Sequence, residues 1–270
     1  MSKIHAKFFI ILLTIIALFA VTVSAQDEDP ANLTDACVAD GDYDPDVNYF
    51  PEQVRIDYAE QFTVTYFSNY KVLSVNTPWG DVVDYALVQC GTPAPEDFSD
   101  EQVIEVPVAS VVTTSTTFLP HIVAQGLVDH IVGLDSLFFT SLPEVIERID
   151  AGEITEVYAD FAPNLEALVA LDPELVIMQD FSPDDTSVSL QELGIQTALN
   201  YDFSDTTPLG QAEWGKYISV LFNTESVANE IFDEIVAEYE ALFEISPEIV
   251  DDTIDELIGQ TPEYSFILNQ

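Results

Sequence analysis

Pro163-Asn164-Leu165-Glu166-Ala167-Leu168-Val169-Ala170-Leu171-Asp172-Pro173-Glu174-Leu175-Val176-Ile177 is the stretch on which the fold turns. Asn164 is a helix cap, Leu165–Leu171 the helix, and Asp172-Pro173 its stop. Leu175–Met178 follows as a short, wholly apolar strand. The same texture recurs on both sides. Upstream, Val108–Val112 reads as a buried strand that runs into Thr113-Thr114-Ser115-Thr116-Thr117, with Thr117 a candidate cap. A helix at Leu119–Gly126, a strand at His130–Leu134, the loop Asp135–Thr140 and a helix at Leu142–Ile149 come next. Downstream, Leu190–Leu193 closes at Gly194 before a strand at Ile195–Ala198. Strands alternating with helices imply a parallel sheet. Residues 101–207, opening with the short strand Val103–Val106, are therefore expected to form an α/β lobe with flanking helices.

The flanks read differently. Residues 1–25 have a positive start at Lys3 and Lys7, an apolar run Phe8–Val23, and the small-residue cleavage site Val23-Ser24-Ala25, the pattern of an export signal. The competing reading is an uncleaved anchor, but 16 residues fall short of the roughly 20 of a spanning helix. No Cys follows the site to carry a lipid. Residues 26–60 are acidic and Pro-punctuated and are expected to be a flexible leader. Asn32-Leu33-Thr34 is a glycosylation sequon if the source glycosylates. Residues 61–100 alternate in the strand period around Ser68-Asn69, turn at Pro78-Trp79-Gly80-Asp81, and run on through Tyr85–Gln89, an antiparallel β-meander. Cys37 and Cys90 are the only cysteines. In an exported chain an even count points to a disulfide between them.

After the lobe, residues 208–246 are helical. Ile231, Ile235, Tyr239 and Leu242 make one stripe of the run Thr224–Phe243, opposite Glu230, Asp233, Glu234 and Glu238. Residues 247–270 lead to a strand at Tyr264–Leu268. That strand is expected to open a second lobe that is mostly missing from this chain.

Composition narrows the partners. The 270 residues carry 49 acidic and 6 basic side chains, a net charge of -43. Beyond residue 25 the only basic residues are Arg55, Lys71, Arg148 and Lys216. Nucleic acid is excluded, because binding it requires cations that replace phosphate counterions. The hydrophobic content of 48% excludes wholesale disorder. No G-x-S-x-G, Walker, G-x-G-x-x-G or H-E-x-x-H motif is present, so nothing points to an enzyme. Neither a resident cofactor nor a metal site of the protein's own is expected.

Taken together, Pro163–Ile177 resembles a hallmark of the iron-siderophore and vitamin B12 class of ABC-transporter substrate-binding proteins, P-N-L-E-A-L-x-A-L-x-P-E-L-V-I. Pro208-Leu209-Gly210-Gln211-Ala212-Glu213-Trp214 is similar to a recurring segment of that class. The resemblance covers about residues 103–245. It implies an exported periplasmic or cell-surface receptor whose two lobes are joined by one long helix, here the run at Thr224–Phe243. The receptor captures a small-molecule metal chelate or corrinoid and delivers it to an ABC permease. The alternative is a sensor or interaction module on the same fold without transport.

The candidate site follows from the rule that ligands bind beyond the carboxyl ends of parallel strands. Ser115, Thr116, Thr117 and Phe118 follow the first strand, Asp135, Ser136 and Phe138 the second, and Gln179–Pro183 the third. Asp160 and Phe161 match the family's cleft wall. Hydroxyls and flat rings suit a bulky, mostly apolar chelate. The scarcity of Arg favours a neutral or cationic one, such as a hydroxamate siderophore or a corrinoid. By resemblance, Glu166 is the carboxylate that pairs with a permease Arg. In its own right it favours the helix dipole. His121, beside the Thr cluster, is a possible iron ligand, and otherwise a structural His like His130.

Overall fold

The computed structural model describes residues 31–159, 162–180 and 186–260, with side chains through Leu242. The export signal, Asp160, Phe161, the end of the Gln179–Pro183 loop and the strand at Tyr264–Leu268 lie outside the described residues.

Two sheets share one core. The first holds β1 (Phe62–Tyr66), β2 (Tyr70–Asn76), β3 (Val82–Gln89) and β4 (Val103–Val106) in the order β1-β2-β3-β4. The first three form the antiparallel meander, and its alternation turns Phe62, Leu73 and Val75 inward. The fourth is a correction. Val103–Val106 does not open the parallel lobe but pairs with β3 in parallel, Gln89 opposite Val106.

The second sheet is wholly parallel. It comprises β5 (Val111–Thr113), β6 (Ile131–Leu134), β7 (Thr155–Glu156), β10 (Leu175–Met178) and β11 (Thr197–Leu199), in the order β11-β10-β5-β6-β7. Between β7 and β10 a small ribbon pairs β8 (Tyr158–Ala159) with β9 (Ala162–Pro163). The crossovers are α1 (Leu119–Ala124), α2 (Pro143–Asp150), α3 (Leu165–Leu171) and α4 (Thr186–Glu192). Gly133 of β6 is required by packing: a Cβ there would stand 2.9 Å from Val112 and 3.0 Å from Leu171.

α5 (Pro208–Phe222) begins with Thr207 accepting from the Gly210 N–H at 3.0 Å. It is buried on nearly every side because both sheets pack on it: Phe62 of β1 lies 4.7 Å from Trp214 between ring centroids. The Val108 N–H donates to Leu221 O at the edge of the second sheet. Tyr217 and Tyr85 then grip β11, one donating to Leu199 O at 2.8 Å and the other accepting from Leu199 N at 3.1 Å. α6 (Glu225–Gln260) extends well past Phe243.

Residues 32–60 are not the loose leader their composition predicts. They form neither helix nor strand, yet Phe50 is fully buried and Val54 nearly so. Two carboxylates hold them. Glu213, fully buried on α5, accepts the N–H groups of Asp57, Tyr58 and Ala59 at 2.7–3.1 Å and pairs with Lys216 at 2.9 Å. Glu225, at the start of α6, accepts from Asn32 and pairs with the fully buried Lys71 at 2.7 Å. Lys71 also donates to Asn223 Oδ1 and Val220 O. A segment without a ladder of its own is ordered because its backbone donors end on buried charge. Asn32, the sequon residue, is buried and its amide donates inward, so the folded chain offers it to no glycan. A disulfide joins Cys37 to Cys90.

Candidate functional site

In the parallel sheet, β5, β6 and β7 step one way and β10 and β11 the other. The order reverses between β5 and β10, and the crevice outside the carboxyl ends at such a point is where open α/β sheets bind ligands. Polar groups gather there. Thr113 ends β5, Asp135 follows β6, Gln179 and Asp180 follow β10, and Asn200 and Asp202 follow β11. Tyr158 comes in from the ribbon, and the Thr114 hydroxyl opposes the rise of its phenol. Burial, together with the carboxylates of Asp135 and Asp180, pushes that phenol up to about 12. Burial also raises Asp135, against the Ser136 N–H that donates to it at 2.8 Å. Asp180, buried, accepts from the Ser187 hydroxyl at 2.6 Å.

Four buried polar atoms in this layer have no hydrogen-bond partner among the described residues: Thr113 Oγ1, Gln179 Oε1, Asn200 Nδ2 and Asp202 Oδ1. Buried polar groups are nearly always paired. A cluster of exceptions on one edge of one sheet marks a place built for something other than the fold.

The residues expected here sort into four groups. Ser115 and Thr117 sit together on the loop after β5, hydroxyl to hydroxyl at 2.9 Å, with Thr116 exposed beside them. Asp135, Ser136 and Phe138 lie on the loop after β6. There Phe138 and Phe139 are 85% and 66% exposed and meet edge to face at 5.4 Å, two rings that no core requires. Phe118 is the correction. It is fully buried, because it occupies the first position before α1 and its ring belongs to the core. It also takes the cap position expected for Thr117, without a side-chain cap. Asp160 and Phe161 fall outside the described residues. Asn200 and Asp202 were missed by sequence reasoning. The strand-end rule applied to the strand after Gly194 would have found them.

His121, on α1, lines an open cavity of 410 Å3 with Thr117, Asp202, Phe203, Gln211 and Ala212. Burial lowers its imidazole to about 4, so it is neutral at neutral pH. Among the described residues no group of three or more His, Cys, Asp or Glu side chains is placed to hold a metal ion. A larger cavity of 630 Å3 opens at the opposite, amino-terminal edge of the sheet, beside the disulfide and Glu174.

Glu166 is exposed in the first turn of α3, whose cap is Asn164 accepting from Ala167 N at 3.1 Å. Because α3 runs back from the carboxyl ends of the strands to feed β10, its first turn lies on the same side of the sheet as the crevice. Leu165, Val169 and Ala170 are exposed around Glu166.

No family model matches the chain. Two uncharacterized lipoproteins of Methanocaldococcus jannaschii are 28% and 22% identical over 160 and 141 residues. The matches cover 56% and 50% of this chain but only 40% and 34% of those proteins. Among solved structures, the periplasmic haem-binding protein HutB of Vibrio cholerae is 24% identical, with a TM-score of 0.43 over 52% of this chain and 51% of that one. A periplasmic binding protein of Veillonella parvula reaches a TM-score of 0.49 at 15% identity, over 71% and 58%. The periplasmic vitamin B12 binding protein BtuF of Vibrio cholerae gives 0.38 at 17%, over 51% and 52%. The chain is similar to periplasmic binding proteins. It spans about half the length of those structures and less of the lipoproteins.

Proposed function

We propose that this protein is an exported solute-binding receptor that captures a neutral or cationic metal chelate, a hydroxamate siderophore or a corrinoid, and hands it to an ABC permease. The observation that carries the reading is the carboxyl edge of the parallel sheet: unpartnered buried polar atoms along it, and an exposed pair of phenylalanines on the loop after β6. Orphan donors and acceptors supply orientation and the rings supply a flat apolar wall. Ser115, Thr116, Thr117, Asp135, Ser136 and Phe138 are the ligand contacts of this reading, with Asp160 and Phe161 completing the wall.

The fate of the basic residues supports the ligand's charge. Lys71 and Lys216 are spent inside on Glu225 and Glu213. Arg148 pairs with Glu153 and donates to Val128 O, and Arg55 pairs with Asp57. None of the four faces the crevice as a free cation, so an anionic complex meets only repulsion there. The permease half of the reading rests on Glu166, a carboxylate ringed by the exposed apolar side chains of α3. Such a patch suits docking to a surface that offers one Arg.

The test is fluorescence titration of the exported protein at low salt. A neutral ferric hydroxamate or a corrinoid should quench and saturate, while a highly anionic ferric catecholate should not. Tight catecholate binding, or indifference to both neutral ligands, would overturn the proposal.

A further inference from the structure

The cavity bounded by Thr117, His121, Asp202, Phe203 and Gln211 has a chemistry of its own. Asp202 is 95% buried, being only 5% exposed, and its Oδ1 has no donor among the described residues. Burial raises the carboxyl, and the Thr117 hydroxyl and the Phe203 N–H oppose that rise. Asp205, buried behind it, adds a second negative charge while its own oxygens are taken by the Glu60 N–H and the Trp214 indole. His121 contributes a neutral imidazole, which repels no cation. Gln211 spends its amide N–H on Asp205 O. Phe203 is 48% exposed and forms an aromatic side wall. Acceptors therefore dominate the lining, and among the described residues neither Lys nor Arg lines the cavity.

We propose that this cavity is a subsite for an organic cation, an alkylammonium group. Such a group brings a positive charge and N–H donors to the carboxylate of Asp202, with Asp205 behind it, and packs against the Phe203 ring. The proposal deepens the reading of the carboxyl edge as a capture surface and rests on that reading. It adds that the captured molecule carries an amine, or that a separate amine binds beside it. The volume of 410 Å3 accommodates a short alkylamine. The neighbouring charge of Asp205 makes the site more selective for cations than an exposed carboxylate.

The experiment titrates the exported chain with n-butylammonium by calorimetry, and with n-butanol and n-butyrate at matched ionic strength. In parallel, imidazole NMR follows His121. Saturable binding of butylammonium alone, with a shift of the His121 signal, is expected. Asp202→Asn should weaken it by at least about tenfold. Thr117→Val, which leaves every charge in place, should weaken it less. Asp129→Asn, an exposed carboxylate elsewhere, should leave it unchanged. Equal binding of butanol or butyrate, an unshifted His121, or equal losses in Asp129→Asn and Asp202→Asn would each overturn the proposal, the last by exposing bulk attraction to an acidic surface. If Asp202→Asn does not fold, Thr117→Val alone decides, and unchanged affinity there overturns it. Failure here with intact binding of a neutral chelate leaves the receptor reading standing. Amine binding without chelate binding removes the receptor reading instead.

Discussion

Two regions of the molecule treat buried polarity in opposite ways. Around Glu213 and Glu225, charges lie in the core and are heavily partnered: Glu213 serves three backbone N–H groups and Lys216, while Lys71 reaches Glu225, Asn223 and a carbonyl. At the carboxyl edge of the parallel sheet, uncharged or raised-pKa groups lie buried and lack partners. Satisfied polarity specifies a structure, and unsatisfied polarity is tolerated only where something else is gained. The first region is therefore read as scaffold and the second as site.

The largest effects belong to the clamp. Glu213→Ala leaves Lys216 and three N–H groups without their acceptor and should cost about 3–5 kcal/mol. Lys71→Met should cost about as much, because it abandons Glu225 in the core. Urea midpoints would measure both. In the double variant Lys71→Met/Glu225→Leu the loss should shrink, since replacing both charges removes the buried orphan. Full additivity would mean that the pair does not act as one unit. The disulfide comes next. Cys37 and Cys90 are 53 residues apart, and opening a loop of that size removes about 4 kcal/mol in the chain-entropy model. Reduction should lower the denaturation midpoint without changing ligand affinity. A matching loss of affinity would tie the site to the scaffold.

The sequence made some of this legible and hid the rest for physical reasons. Leu165–Leu171 and Leu175–Met178 are read to the residue, because Asn164, Asp172 and Pro173 are local signals that act within one turn. Val103–Val106 is recognisable as a strand, but its partner is not, since pairing with Gln89 is a non-local event. Val108 looks like part of the next strand because it is apolar. Its N–H goes to α5 instead, and the parallel ladder begins at Val111. Lys71 had a usable signal: it shares the inward face of β2 with Leu73 and Val75 by simple alternation. Residues 32–60 read as loose because their order is supplied by carboxylates more than 150 residues away. Phe118 was assigned to the cleft by its neighbours in sequence, although an aromatic at the entry to a short helix packs inward as readily.

The site should respond with the opposite sign. Thr113→Val removes a buried hydroxyl without a partner and should stabilise the free protein by about 1 kcal/mol or less, while weakening chelate binding. Asp202→Asn should also stabilise the free protein, but only under some conditions. Burial raises the folded pKa of Asp202, so its contribution is favourable below the ordinary carboxylate range and is lost as pH rises through the raised value. The gain should be present at neutral pH and vanish below about pH 4, where aspartate is protonated in both states. Thermal midpoints across that range would measure it. A destabilised Thr113→Val would mean that the edge is scaffold after all.

The smallest effect is expected at Glu166, which belongs to neither region. It is exposed, so Glu166→Gln, which keeps size and helix propensity, should change stability by no more than the few tenths of a kcal/mol of a first-turn charge. Ligand affinity should not change, because the side chain is free in solvent on the outer face of α3. What should fall is uptake, or stimulation of the transporter's ATPase. A rim carboxylate paired with a permease Arg is worth roughly 0.2–1 kcal/mol, and more where docking removes water. The exposed Leu165 and Val169 favour that second case, since apolar neighbours exclude water once a surface closes over them. Loss of ligand binding with normal docking would put Glu166 in the crevice and dissolve the line between capture and delivery. No change in either would reduce it to its place at the positive end of a helix.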